Sequence, residues 1–123
     1  MNTAKRLFAL RGATRCENDT GDIIEQVGAL YDELLLQNGL EETDLVSALF
    51  SVTSDLDAIN PAAALRRSGR ASEASLFALQ EAYDPGGLER CVRVLIHCYL
   101  AENARPRHVY RNGAELLRPD RGG

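Results

Sequence analysis

The most regular pattern of polar and apolar positions lies in the segment 91–100, where the two kinds of side chain alternate. One parity carries Val92, Val94, Ile96, Cys98 and Leu100, and the other carries Arg93, Leu95, His97 and Tyr99. A period of two indicates a β-strand with one face against a core. The pattern therefore predicts a strand over 91–100 and puts Arg93 on the face opposite the apolar stripe.

A second, shorter strand is predicted over Leu76–Gln80, directly before Glu81, which has the parity of Phe77 and Leu79. The sequence Asp-Pro-Gly-Gly at 84–87 then predicts a turn. A carboxylate and a guanidinium held on strands can form a rigid polar site. Taken alone, however, Glu81 and Arg93 fit a structural ion pair between strands better.

One long helix is predicted between Asp19 and Gly39. Its apolar residues recur at intervals of three and four, at Ile23, Ile24, Val27, Leu30, Tyr31 and Leu34. Asp19 or Thr20 can cap its beginning, and Gly39 is typical of a helix end.

The remaining pattern predicts three strands and one short helix. The segment Arg6–Arg11 is a short strand that ends in a turn through Gly12, Ala13 and Thr14. Asp44–Thr53 is the next strand, and Pro61 begins a short helix. Arg66 and Arg67 lie in the last turn of this helix, where cations are favoured in any case.

The tail from Arg107 begins with a short strand and reaches Asn112-Gly113, which is a hairpin signal. A return through Glu115–Arg118 is therefore predicted. The element order β-α-β-α-β-β-β predicts a single α+β domain over residues 1–123, with both helices on one face of a five-stranded sheet. Two helices cannot cover both faces, so we expect an oligomer.

Composition narrows the possible partners and location. A length of 123 residues fits one domain, and a net charge of −4 argues against nucleic acid as the main partner. The three cysteines have no metal-like spacing and favour a reducing compartment. No signal-like or membrane-spanning apolar run is present, so we expect a cytoplasmic protein without a membrane partner.

Six segments, in this order and at near-constant spacing, resemble the AroH-type chorismate mutases. They are Leu10–Thr14, Ser54–Arg66, Gln80–Glu81, Gly86–Val94, Arg107–Tyr110 and Leu117–Asp120. The resemblance implies a mixed five-stranded sheet backed by helices, in a homotrimer with a barrel-like core. It also implies the rearrangement of chorismate to prephenate in aromatic amino-acid biosynthesis. The active sites would lie in clefts between subunits and use no cofactor or metal.

The same resemblance assigns roles by position. Arg11 would hold the enolpyruvyl carboxylate with help from Tyr110, Arg93 would face the ether oxygen of the breaking bond, and Glu81 would accept from the ring hydroxyl. Arg66 would come from the neighbouring subunit, Leu117 would line the cleft wall, and Arg118 would lie at the cleft entrance. Asn60, Phe77 and Ala78 would also bind the substrate. Four positions depart from the family pattern and affect the neighbouring-subunit wall and the affinity, namely Asn60, Ala63, Phe77 and Ala78.

The chemistry of this rearrangement agrees with the residues. The reaction is unimolecular and pericyclic, so it needs a confined reactive conformer and positive charge near the ether oxygen, but no base or nucleophile. Arg11, Arg66 and Arg93 can supply that charge, whereas His97 and His108 are isolated and are expected to be structural. The alternative function is a non-catalytic trimeric module that binds a carboxylated metabolite, which would need no cation at the ether bridge.

Overall fold

The computed structural model describes residues 4–117, which form five β-strands and two α-helices. The bounds in chain order are β1 Lys5–Arg15, α1 Thr20–Asn38, β2 Leu45–Val52, α2 Pro61–Arg67, β3 Ser75–Gln80, β4 Cys91–Ala101 and β5 Val109–Arg111. Two short 3-10 helices cover Glu42–Asp44 and Ala114–Leu117. The predicted number and order of strands and α-helices are confirmed.

The strands form one mixed sheet in the order β3-β2-β4-β1-β5. Strand β4 runs antiparallel to both of its neighbours, β1 and β2. The two outer pairs, β2 with β3 and β1 with β5, are parallel. The predicted alternation along β4 is also confirmed, because the parity of Val92 is buried while Arg93 and Tyr99 are exposed.

Both helices pack on the same face of the sheet, as predicted. Their apolar side chains share one core with the inward-facing residues of the strands. That core includes Ile23, Val27, Leu30 and Leu34 from α1, Leu65 from α2, and Leu10, Phe50, Val92 and Ile96 from the sheet. Burial of the apolar stripe of α1 against the sheet explains why this segment, with its helical periodicity, forms a stable helix.

Helix α1 begins and ends at the predicted residues. The Asp19 carboxylate accepts a hydrogen bond from the backbone N–H of Asp22 at 2.9 Å and so caps the first turn. Gly39 ends the helix in the left-handed conformation, with a φ of 59°.

The predicted turn through Gly12, Ala13 and Thr14 is wrong, because β1 continues to Arg15. These three residues pair with Val94, Arg93 and Val92 of β4. Glycine is needed at position 12 for packing rather than for a turn. A Cβ atom there would lie 2.8 Å from Cδ1 of Leu34, on the helix above.

The hairpin predicted at Asn112-Gly113 is also wrong. The chain does turn there, with positive φ at both residues, but Ala114–Leu117 then forms a 3-10 helix. Ala114 is fully buried against Ala13 and Cys91, and this packing holds the segment against the sheet. Arg118, the last residue of the predicted return, lies outside the described residues.

The second face of the sheet carries large apolar side chains that the described residues leave exposed. They are Leu7, Phe77, Leu79 and Tyr99, each between 45% and 60% exposed. Phe77, Leu49 and Leu95 lie in one row across β3, β2 and β4, and Arg11 of β1 extends that row. Among the described helices, none is long and apolar enough to span a bilayer.

Candidate active site

Arg93 and Glu81 meet on the open face of the sheet. The Nη2 atom of Arg93 lies 2.7 Å from Oε2 of Glu81. Their strands are not neighbours, because β2 lies between β3 and β4. Glu81 follows β3 directly, and its backbone N–H donates to the Val52 carbonyl at 2.9 Å. This bond extends the parallel pairing and aims the carboxylate across β2 toward Arg93.

Sequence reasoning missed Ser51, which lies on β2 between the two charged residues. Ser51 is the register partner of Arg93, and its hydroxyl donates to Oε1 of Glu81 at 2.8 Å. Each carboxylate oxygen therefore has its own polar partner, the Ser51 hydroxyl on Oε1 and the Arg93 guanidinium on Oε2. The available signal was the position of Ser51 on the polar parity of an alternating strand.

A cavity of about 380 Å³ brings together four of the sequence-predicted residues. Arg11, Arg93, Tyr110 and Leu117 line it, together with Ser51 and apolar residues of β2 and β4. Strand pairing explains the grouping, because Ala13 is the register partner of both Arg93 and Tyr110. Strand β1, which is longer than predicted, thus connects the β4 side of this cavity with its β5 side.

A second cavity of about 280 Å³ adjoins the first, since Arg93 and Leu117 line both. Its other walls include Glu81, residues 53–55 and most of the segment 82–89. Cys91 also lines it, and burial raises the pKa of the Cys91 thiol to about 11, although the positive charge of Arg93 opposes this rise. The thiol is therefore protonated at neutral pH and is not an activated nucleophile.

The beginning of β4 is fixed to the end of β2 just before Arg93. The Asp55 carboxylate accepts from the backbone N–H of Arg90 at 3.0 and 3.1 Å. Thr53 Oγ1 donates to Asp55 at 2.6 Å and accepts from the Cys91 N–H at 2.9 Å. Arg90 is held in the left-handed region with a φ of 49°. These bonds set where β4 begins and hence where Arg93 projects.

Both histidines make hydrogen bonds within the fold, as predicted for structural residues. His108 Nδ1 accepts from the backbone N–H of Arg11 at 3.0 Å, and burial together with the Arg11 charge lowers the pKa of His108. His97 Nδ1 lies 3.1 Å from the Ser47 hydroxyl. Within residues 4–117, no cluster of three histidine, cysteine or acidic side chains is arranged to hold a metal ion.

Asn60, Phe77 and Ala78 lie outside the two adjoining cavities. Asn60 and Ala78 line a separate cavity of about 230 Å³, and Phe77 is exposed on the open sheet face. The Asn60 side chain caps α2 by accepting from the backbone N–H groups of Ala62 and Ala63, at 2.8 and 3.2 Å. This capping role was not predicted from the sequence.

Arg66 does not line the Arg11–Arg93 cavity of its own chain. It lies at the end of α2, and its guanidinium donates to the carbonyl oxygens of Ala71 and Ala74 in the following loop. The same loop is anchored to α1, where the Arg70 fork contacts the Asp32 carboxylate at 2.7 and 2.8 Å. This fork lowers the pKa of Asp32. Arg118 lies outside the described residues.

A family model for chorismate mutase type I matches residues 7–121 of this sequence. This chain belongs to the type I chorismate mutase family. Chorismate mutase AroH from Bacillus subtilis is 34% identical over 113 residues, which cover 90% of this chain and 89% of that protein. Chorismate mutase AroH from Thermus thermophilus is 37% identical over 114 residues, covering 90% and 93%.

The fold agrees with the sequence comparison. A solved chorismate mutase from Clostridium thermocellum superposes with a TM-score of 0.82 at 40% identity, covering 89% of this chain and 99% of that one. The predicted family, α+β fold class and chorismate mutase function are thereby confirmed. The alternative of a non-catalytic binding module is not favoured.

Proposed function

We propose that this chorismate mutase converts chorismate to prephenate in the two adjoining cavities, with Arg93 as the catalytic residue. The observation that carries the proposal is the position of the Arg93 guanidinium. It projects from a sheet strand, is held by Glu81 at 2.7 Å, and lines the same cavity as Arg11 and Tyr110. Cationic and hydroxyl donors thus surround a space of about 380 Å³.

The reaction explains why a guanidinium is needed at this point. In the rearrangement, the carbon–oxygen bond breaks ahead of carbon–carbon bond formation, so negative charge gathers on the ether oxygen. A positive group fixed there before the reaction interacts more strongly with the transition state than with the substrate. A strand backbone supplies that fixation. Arg93 therefore lowers the barrier rather than merely holding the substrate.

The other roles are those that the family resemblance implies, and the charge and position of the side chains agree with them. Arg11 with Tyr110 binds the enolpyruvyl carboxylate, because a planar guanidinium suits bidentate contact with a carboxylate. Glu81 accepts from the ring hydroxyl and orients the ring. Leu117 provides an apolar wall common to both cavities. No proton transfer or covalent intermediate is part of this mechanism, and it involves no cofactor.

We further propose that the enzyme is a homotrimer whose clefts are completed by a neighbouring subunit. The support is the uncovered apolar face of the sheet, since exposed apolar patches of this kind mark interaction sites. Arg66, Arg118, Asn60, Phe77 and Ala78 would then contribute to a cleft from its other side. A cytoplasmic location is part of the same proposal and agrees with three cysteines that are buried and unpaired.

The proposal is tested by following the ultraviolet absorbance of chorismate in the presence of the purified protein, first for wild type. We expect absorbance to fall with multiple turnovers. Tight binding with persistent absorbance would instead support the binding module. Replacing Arg93 with citrulline, which is nearly isosteric and neutral, is expected to lower turnover by about 10²–10³-fold with a smaller change in substrate affinity. Near-normal turnover with weakened binding would contradict the catalytic role.

A further inference from the structure

We propose that Ser51 is a positioning residue that fixes the carboxylate of Glu81 and, through it, the guanidinium of Arg93. The inference rests on the proposed function for its catalytic meaning. Its structural part concerns one hydrogen bond, from the Ser51 hydroxyl to Oε1 of Glu81 at 2.8 Å. Sequence patterns gave this serine no role, because it lies on a strand that carries neither charged residue.

The carboxylate of Glu81 is shared between two donors from adjacent strands. Ser51 on β2 binds Oε1, and Arg93 on β4 binds Oε2 at 2.7 Å. Ser51 and Arg93 are register partners, so both donors project from the same level of the open face. Two donors on different oxygens set the rotation of the carboxylate plane, which one donor alone leaves adjustable. The Glu81 side chain is also only 22% exposed.

Occupying Oε1 with a hydroxyl has a consequence for Arg93. A carboxylate with both oxygens available tends to pair with a guanidinium through two parallel hydrogen bonds. Such a fork would draw more of the Arg93 donors and charge toward Glu81. With Ser51 on Oε1, the ion pair uses Oε2 only, and the guanidinium of Arg93 also lines the cavity. Ser51 therefore helps to aim the positive charge at the reacting atoms.

The first test compares Ser51→Ala with Ser51→Thr in the chorismate assay. Loss of the hydroxyl is expected to lower kcat by about tenfold, which is the scale of one hydrogen bond to a charged group, while KM changes by less than about threefold. Threonine keeps the donor and suits a strand, so it is expected to restore most of the rate. An unchanged kcat, or a raised KM alone, would overturn the proposal.

Ser47→Ala is the matched control, because Ser47 lies on the same strand and face and its hydroxyl also contacts a side chain of β4, that of His97 at 3.1 Å. This variant removes a comparable hydrogen bond away from Glu81. We expect its kcat to stay near that of wild type. An equal loss of kcat in Ser47→Ala and Ser51→Ala would show that the effect is a general weakening of β2, and would overturn the positioning role.

A double-mutant cycle then tests whether Ser51 acts through Glu81. In a Glu81→Ala background, Ser51→Ala is expected to lower kcat by less than about twofold, against about tenfold in wild type. Equal losses in the two backgrounds would mean that Ser51 acts independently, and the inference would be wrong.

A readout without turnover separates this inference from the proposed function. In protein labelled with ¹³C at glutamate carboxyl carbons, the Glu81 signal is expected to shift in Ser51→Ala and not in Ser47→Ala. A wild type that leaves chorismate intact would overturn the proposed function, and the Glu81 signal would still decide whether Ser51 positions that carboxylate. An active wild type with an unmoved Glu81 signal would overturn only the role of Ser51.

Discussion

At the residue scale, Glu81 and Arg93 contribute little to folding, so their arrangement calls for another explanation. The Arg93 side chain is 48% exposed in the single chain. Ion pairs at such exposure contribute about 0–1 kcal/mol to stability. A small contribution to stability agrees with the catalytic role that we propose for this pair.

Two substitutions of Glu81 are expected to have different outcomes. Glu81→Gln keeps an acceptor for a substrate hydroxyl but loses the charge, whereas Glu81→Ala loses both. Because charge-assisted bonds are about twice as strong as neutral ones, we expect Glu81→Gln to keep partial activity and Glu81→Ala to lose much more. Values of kcat/KM measure this difference, with unfolding midpoints as the control. Equal activities would show that an acceptor at position 81 does not matter.

Single residues were predictable where local periodicity governs them. The alternation along β4 located Arg93 on the open face, and the run before Glu81 located its strand. The partner of Glu81 on β2 could not be predicted, because it depends on β2 lying between β3 and β4, which no local signal specifies. The resemblance predicted Asn60 as a residue of the cleft wall. Its role as the N-cap of α2, a helix of seven residues, was not predicted.

At the element scale, the packing of α1 on β1 depends on the missing side chain of Gly12. A Cβ there would lie 2.8 Å from Leu34 Cδ1, 3.1 Å from Leu30 Cδ1 and 3.3 Å from the Val109 carbonyl oxygen. Both leucines are buried in the core and have little room to move. We expect Gly12→Ala to lower the free energy of unfolding by about 1–3 kcal/mol, the usual cost of overpacking.

Urea unfolding measures this loss, and Gly86→Ala is the matched control. Nothing lies within 4 Å of a Cβ at Gly86, which is exposed and has no positive φ. That variant is expected to unfold near the wild-type midpoint. Equal stability of the two variants would mean that helix and strand can separate slightly at no cost.

The edge strand β5 is predicted to weaken at low pH through His108. Its Nδ1 accepts from the Arg11 N–H, and its pKa is lowered, first by burial and then by the Arg11 charge. A base with a lowered folded pKa contributes its full stability above its unfolded value of about 6.5, and loses it as the pH falls toward the folded value. Stability should therefore decline as the pH is lowered below about 6.5.

Comparison with His108→Asn isolates this group, because asparagine keeps a hydrogen-bond acceptor but does not titrate. Unfolding midpoints measured from neutral to mildly acidic pH should fall more steeply for wild type than for the variant. Parallel curves would show that His108 does not carry the pH dependence.

Element boundaries were mispredicted where tertiary contacts override local signals. Gly12 indicated a turn, but pairing with β4 and β5 on both sides extends β1 through it. Asn112-Gly113 indicated a hairpin, but no strand within residues 4–117 pairs with the outer edge of β5, and Ala114 is buried instead. The helix α1 was predictable at both ends because its caps and its apolar stripe are local.

At the scale of the whole molecule, a shared cleft can be tested by mixing subunits. Arg11 lines the cavity in its own chain, whereas Arg66 does not. If Arg66 serves a neighbouring cleft, hybrids of Arg11→Ala and Arg66→Ala subunits contain some clefts with both arginines. We expect the mixture to regain activity that neither variant has alone. Absence of recovery after verified subunit exchange would contradict the shared site.

The strand order has a consequence for how the protein is made. The N-terminal strand β1 lies between β4 and β5, which come from the last third of the chain. During synthesis, β1 and the apolar stripe of α1 therefore remain unpaired until strands much later in the sequence have been made. Contacts between residues so far apart in sequence form slowly. A nascent chain in this state exposes apolar surface, which makes a folding chain prone to aggregation. Force measurements with arrest peptides should detect folding only after Ala101 has left the exit tunnel, and an earlier signal would contradict this order.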